Sequence, residues 1–151
     1  MRKFPILFTI ALSLLTYSCD KHPKNGKLDG MWQIMSVCYN RGGSYDSLVQ
    51  TKDLRAYLSF QLDLSQIVCH RLRLPKSNTI LMRFKHEGGQ IRFYDFYYHY
   101  RTADTLFTDA DTLSLVPVGF IGKEQTFDVL KLNEDVMELQ SPFSRINLRK
   151  F

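Results

Sequence analysis

A two-residue period runs through most of this chain and limits what it can fold into more than any other feature. Leu58, Phe60, Leu62 and Leu64 alternate with Ser59, Gln61, Asp63 and Ser65, the pattern of a strand with one face buried and one wet. Ile80, Met82 and Phe84 alternate with Leu81, Arg83 and Lys85; Glu87-Gly88-Gly89 then reads as a three-residue hairpin loop into the strand that carries Ile91 and Phe93. Further strands are predicted over 31–39, 57–67, 126–132, 136–140 and 145–151, with a short one near 113–116. Residues 44–56 carry Tyr45, Leu48 and Val49 at helical spacing, enough for one lid turn. About eight antiparallel strands with one apolar face, and almost no helix to cover it, should close on themselves. The expected fold is all-β, an eight-stranded antiparallel up-and-down barrel, wide enough to hold one small ligand or be filled by its own side chains. Short, irregularly spaced strands, with Arg83, Lys85, Asp63 and Glu138 on their outer faces, argue against a membrane-spanning barrel.

The N-terminus does not share this period. Met1-Arg2-Lys3 is a charged start and residues 6–15 are almost purely apolar, too short a run for a membrane span and the right length for a secretory signal. Cys19 closes it, which resembles the bacterial lipoprotein box, where a peptidase cuts before the cysteine and acyl chains of the palmitate class are attached. The expected organisation is a signal peptide over 1–18, a tether over 19–27 and a barrel domain over 28–151. Cleavage leaves 133 of 151 residues and lowers the formal charge from +5 to +3, so much of the apparent basicity is targeting. From Asp20 to Lys27 the tether has no apolar residue but Pro23, with a reach of roughly 16 Å.

The two ends of the barrel segment carry a family likeness. Leu28-Asp29-Gly30-Met31-Trp32-Gln33 opens it and Leu148-Arg149-Lys150-Phe151 closes it, with Tyr57-Leu58-Ser59-Phe60-Gln61-Leu62 and Met137-Glu138-Leu139-Gln140-Ser141 between. This set resembles the lipocalin-like, calycin-type bacterial lipoproteins. The resemblance implies a barrel closed at one end by Gly30 and Trp32, with Arg149 on the last strand stacked on the indole. A partly desolvated cation–π pair of that kind contributes roughly 1–2 kcal/mol.

No motif points to catalysis. His22, His70, His86 and His99 lack metal-ligand spacing, and no metal site or cofactor is expected. Asp104, Asp109 and Asp111 form an acidic loop without a calcium-binding pattern. Phosphate-binding, dinucleotide-binding and nucleophile-elbow motifs are absent from the sequence. Cys38 and Cys69, which sit on or beside strands, are expected to be unpaired: antiparallel order sets Cys38 near Tyr57, and residues 57 and 69 lie roughly 40 Å apart along the next strand, against a disulfide limit of about 7 Å.

The sequence from Phe93 to Tyr100 is strongly aromatic, and strict alternation puts Tyr94, Phe96, Tyr98 and Tyr100 on one face and Phe93, Tyr97 and His99 on the other. Phe60, Leu62, Met82, Phe84, Tyr94, Tyr98 and Tyr100 are the candidate ligand-contacting residues. Between residues 70 and 92, Arg71, Arg73, Lys76, Arg83, Lys85 and Arg92 face one acid, Glu87, which reads either as a solvated face or as a surface for anionic lipid or glycan; nucleic acid is not an expected partner, because an exported protein rarely meets it. Two readings stay open: a lipid-anchored binding protein for a small apolar or amphipathic ligand, and a non-catalytic component of a cell-envelope assembly with a protein partner. The expected address is the cell envelope, anchored to the outer membrane and facing the periplasm.

Overall fold

A computed structural model describes residues 24–151; the predicted signal peptide, Cys19 and His22 lie outside them. Ten strands run in chain order: β1 (Gly30–Arg41), β2 (Ser44–Gln50), β3 (Ala56–Gln61), β4 (Leu64–Cys69), β5 (Thr79–Glu87), β6 (Gln90–Tyr98), β7 (Thr105–Leu106), β8 (Gln125–Leu132), β9 (Val136–Gln140) and β10 (Ser144–Lys150). Eight of them, β1, β3, β4, β5, β6, β8, β9 and β10, form a closed antiparallel barrel, because β1 pairs with both β3 and β10. The two short extra strands flank it: β2 on the upper half of β1, and β7 on the end of β6.

Local chemistry explains the turns. Gly88 and Gly89 stand at φ +57° and +77°, so β5 and β6 join through two residues of the left-handed kind that hairpins favour, a loop one residue shorter than the sequence suggests. The 57–67 segment is two strands, not one. Leu62 adopts φ +56°, and the chain reverses through Leu62-Asp63, setting Ala56 opposite Cys69. Leu62 and Leu64 are therefore exposed, at 62% and 52%, although the alternation placed them with Leu58 and Phe60.

Residues 44–50 form a strand rather than a helical turn, because β1 runs on to Arg41 and offers Val37 and Cys38 as partners for Val49 and Leu48; only Lys52–Leu54 makes a 3-10 turn. The short strand near 113–116 is absent. Pro117 has no N–H for a ladder, and Val116–Val118 is a 3-10 turn within the long 99–124 connection.

The core fills the barrel. Trp32, Ile34, Leu58, Ile67, Ile80, Phe93, Phe127, Met137, Leu139 and Ile146 are all fully buried. Aromatic rings meet edge to face through its centre, Phe60 with Phe84 at 5.0 Å and Phe93 with Phe127 at 5.9 Å.

Candidate functional site

The two ends of the barrel differ. At one end the chain enters through the 3-10 turn Gly26–Leu28, which buries Leu28 against Trp32 and accepts a 2.8 Å hydrogen bond from the indole Nε1 at the Leu28 carbonyl. The Lys150 ammonium lies 4.3 Å from the centre of the Trp32 ring and donates to the carbonyls of Lys27 (2.9 Å) and Asp29. Lys150 therefore fills the role that the family resemblance implied for Arg149. The register explains the correction: Trp32 pairs directly with Lys150, and paired residues share a face. Arg149 pairs with Gln33 on the outer wall and donates to its side chain at 3.4 Å. Gly30 opens β1 where Lys150 crosses, its missing Cβ only 3.2 Å from the Lys150 Cε. Burial lowers the Lys150 pKa against the pull of Glu134 and Asp29.

Of the candidate ligand residues, Phe60, Met82, Phe84 and Tyr98 lie inside the barrel. Leu62 lies outside it, in the β3–β4 turn, and Tyr94 also faces out. The cause at Tyr94 is a bulge: Leu81 pairs with Tyr97 and Arg83 with Tyr94, so Asp95 and Phe96 together oppose Met82, with Asp95 at φ +53°. The bulge flips the face, so Phe93 shares the interior with Phe96 and Tyr98 while Tyr94 and Tyr97 turn outward. Tyr94 stacks with Arg92 at 5.4 Å and lines an outer groove of about 400 Å³ with Asp95, Leu106, Lys123 and Glu124. Tyr100, beyond β6, packs half-buried on the core.

The other end is a mouth closed by the connection over 107–124. Phe107, Leu115, Val118 and Phe120 from this loop are all but fully buried. Phe107 meets Tyr98 at 5.3 Å and Phe96 at 5.7 Å; Phe120 meets Phe93 at 5.3 Å and Phe127 at 5.0 Å. The rim holds the loop backbone: the Tyr39 hydroxyl donates to the Val116 carbonyl (2.8 Å) and the Ser144 hydroxyl to the Gly119 carbonyl (2.5 Å). Two-residue alternation does not reveal this plug. Its signal was there: residues 106–121 hold too many apolar side chains for a solvated loop, yet show no strand period.

At the base of the plug, Asp111 Oδ2 accepts from the Thr108 N–H (2.9 Å), the Thr108 hydroxyl (2.7 Å) and the Lys76 ammonium (3.2 Å). Burial alone would raise this carboxyl; the Thr108 hydrogen bonds and Lys76 outweigh it and hold the pKa down at about 2. Beside it, the Tyr98 hydroxyl is buried with Ser114 and Asp111 as its polar neighbours, and Lys76 lies 5.3 Å over its ring. Burial pushes the Tyr98 phenol up, and the Asp111 carboxylate adds to the rise.

The three loop acids go separate ways. Asp104 bonds His99 Nδ1 at 2.8 Å and Asp109 pairs with Lys123 at 2.6 Å, while Asp111 holds Lys76. Among the described residues no three His, Cys, Asp or Glu side chains converge as a metal set would need. The basic run is also divided: Arg83 faces Asp95 (3.9 Å) and Arg92 binds Glu124 (2.5 Å). Lys85 and Arg92 remain side by side on the outer wall. Both thiols are free, as expected, though for a different reason. Cys69 points into the core opposite Ala56, its thiol pushed up to about 12 by burial, whereas Cys38 lies on the half-exposed outer side of β1 next to buried Val37.

The architecture is a closed eight-stranded up-and-down barrel, capped at one end by a Gly-x-Trp strand and covered at the other by a loop. The lipocalin-like domain family matches residues 12–151, and the chain belongs to it. Among solved structures it is similar to a lipocalin-like protein from Bacteroides uniformis, 21% identical, with a TM-score of 0.55 over 83% of this chain and all of that one. It is also similar to an uncharacterized protein from Bacteroides eggerthii, 20% identical, with a TM-score of 0.50 over 82% of this chain and 99% of that one. No curated protein matches the sequence.

Proposed function

We propose that this chain is a non-catalytic, lipid-anchored binding protein of the cell envelope that takes a small apolar or amphipathic ligand into the mouth of its barrel. The observation that carries this reading is the division of the interior. Strand side chains fill the closed end, whereas the mouth is filled by Phe107, Leu115, Val118 and Phe120, which belong to a connection that can withdraw without breaking the barrel ladder. The signal-like N-terminus and Cys19 support export and acylation. Lys24 binds Asp63 at 2.5 Å and Asn25 binds the Leu62 carbonyl at 2.9 Å, so the chain enters at the closed end. An anchor at Cys19 then attaches the barrel by its closed end.

A second reading, an envelope interaction component, draws on β2, whose far edge pairs with no strand among the described residues and which exposes Leu48 and Val49. Native mass spectrometry of the protein purified from its own membranes separates the two. The expected result is a chain beginning at Cys19, carrying acyl mass and releasing a small molecule on denaturation. An unacylated chain without such a molecule contradicts the proposal. A stoichiometric partner protein, again with no released molecule, favours the second reading.

A further inference from the structure

The β3–β4 turn carries a residue that the fold does not explain. Leu62 stands at φ +56°, in the left-handed region that hairpin turns give to Gly, Asn or Asp, and its side chain points into water. A leucine there strains the backbone and gains little burial for it. Leu64, just past the turn, is also more than half exposed, so the tip presents two leucines. The acid between them, Asp63, is neutralised by Lys24 at 2.5 Å. Arg83 pairs directly with Leu64, and Lys85 follows two residues on along the same outer face of β5. The result is an apolar tip with a basic flank, at the end of the barrel where the chain enters. That arrangement matches the surface of an anionic bilayer, with leucines at the acyl boundary and cations level with the phosphates.

Chain length says what lies opposite this tip. Cys19 stands five residues before Lys24, a span of at most about 18 Å. Lys24 is held by Asp63, and Asn25 Nδ2 donates to the Leu62 carbonyl at 2.9 Å, so the free tether ends at the turn itself. An acyl chain on Cys19 would keep this turn, more than any other part of the barrel, close to the bilayer. We propose that Leu62 and Leu64 insert into the membrane that holds the Cys19 acyl chains, with Arg83 and Lys85 against its anionic head groups. The barrel then docks by its closed end in one orientation, which a tether alone does not impose. The proposal rests on the anchor reading and is independent of what the barrel binds.

The test puts a tryptophan at the tip and asks whether lipid reaches it. Protein purified from its own membranes is reconstituted in vesicles of phosphatidylethanolamine and phosphatidylglycerol with brominated acyl chains, which quench tryptophan on contact. Wild type sets the baseline, because its single tryptophan, Trp32, is fully buried. Leu62→Trp and Leu64→Trp are each expected to lose about half of their added emission relative to unbrominated vesicles, as insertion to the acyl boundary requires. Leu113→Trp, equally exposed but on the loop over the mouth, is expected to keep its emission. Leu62→Gly is expected to melt no lower than wild type, because glycine suits the backbone of the turn. A marked drop in its melting temperature would show that Leu62 serves the fold, and would overturn the proposal. Acyl mass on the purified chain reads the anchor separately. An acylated chain whose tip tryptophans stay bright, or are quenched no more than the one at 113, overturns the docking and leaves the anchor standing. A chain without acyl mass overturns both.

Discussion

Trp32→Ala is expected to lower the unfolding free energy by about 3–5 kcal/mol, the range for removing a fully buried large aromatic side chain. The loss is at the high end of what one residue can cost because three interactions meet at this indole. Its Nε1 ties the Leu28 carbonyl of the entry turn, its face receives Lys150 from the last strand, and its body fills the closed end of the barrel. Removing it leaves the Lys150 ammonium beside a cavity and unseats Leu28. Trp32→Phe keeps an aromatic face but loses the hydrogen bond, and is expected to lose about half as much. Urea denaturation followed by circular dichroism measures both. A loss below about 1 kcal/mol for Trp32→Ala would mean that the first and last strands do not depend on this contact.

Gly119→Ala is expected to be nearly as costly, and at the other end. Gly119 stands at φ +87°, and a Cβ there would sit 2.7 Å from Ile146 Cγ1, 2.8 Å from its Cδ1 and 3.2 Å from Val37 Cγ1. Ile146 and Val37 are fully buried wall residues, and neither has space to move into. Overpacking of this kind costs about 1–3 kcal/mol, and the left-handed backbone adds roughly 1–2 kcal/mol for a residue with a side chain. The relief open to the structure is for the loop to back out locally around Gly119, because the wall is held by whole strand ladders, whereas the loop is held by its buried side chains and a few hydrogen bonds. The expected outcome is loop docking weakened by about 2–4 kcal/mol, with the barrel still folded. Amide exchange in the loop rises correspondingly, roughly thirty- to several-hundred-fold. A variant that melts as a whole, with no separate loss of loop protection, would show that the loop is part of the barrel's cooperative core.

The sequence is most legible where turn chemistry and alternation agree. The β5–β6 hairpin, the β8–β9–β10 meander and the closing Gly-x-Trp strand are all present near their expected bounds. It is least legible where the alternation runs on through a reversal or a bulge. Leu62 and Leu64 continue the pattern of Leu58 and Phe60 without a Gly, Pro or Asn to mark the turn between them, so one strand is read where two exist. The Asp95 bulge exchanges the faces of the aromatic run, and period counting cannot register an extra residue. Arg149 and Lys150 differ by one position, which in a strand is the difference between outside and inside. The plug is hidden for another reason: its apolar residues answer to no period, since a loop buries side chains wherever its backbone approaches the core. Of the site, Tyr98, Met82, Phe84 and Phe60 were legible as interior residues, whereas Lys76 and Asp111 come together only through the long connection.

The most direct test of the loop as a movable plug is native-state amide hydrogen exchange resolved by residue. Ser114, Val118, Gly119 and Phe120 have their amides bonded within the loop, to Asp111, Leu115, Val116 and Leu115 carbonyls respectively. They are expected to exchange through an opening that costs less than global unfolding, while the ladder amides of β1, β3, β4 and β10 exchange only with the whole barrel. Acid should widen the gap. The Asp111 carboxyl is depressed in the folded state, so its contribution is present above about pH 4 and is lost as pH falls toward about 2. Loop amides that exchange only in step with the barrel, at neutral pH and in acid alike, would contradict a removable plug and leave a filled barrel in its place.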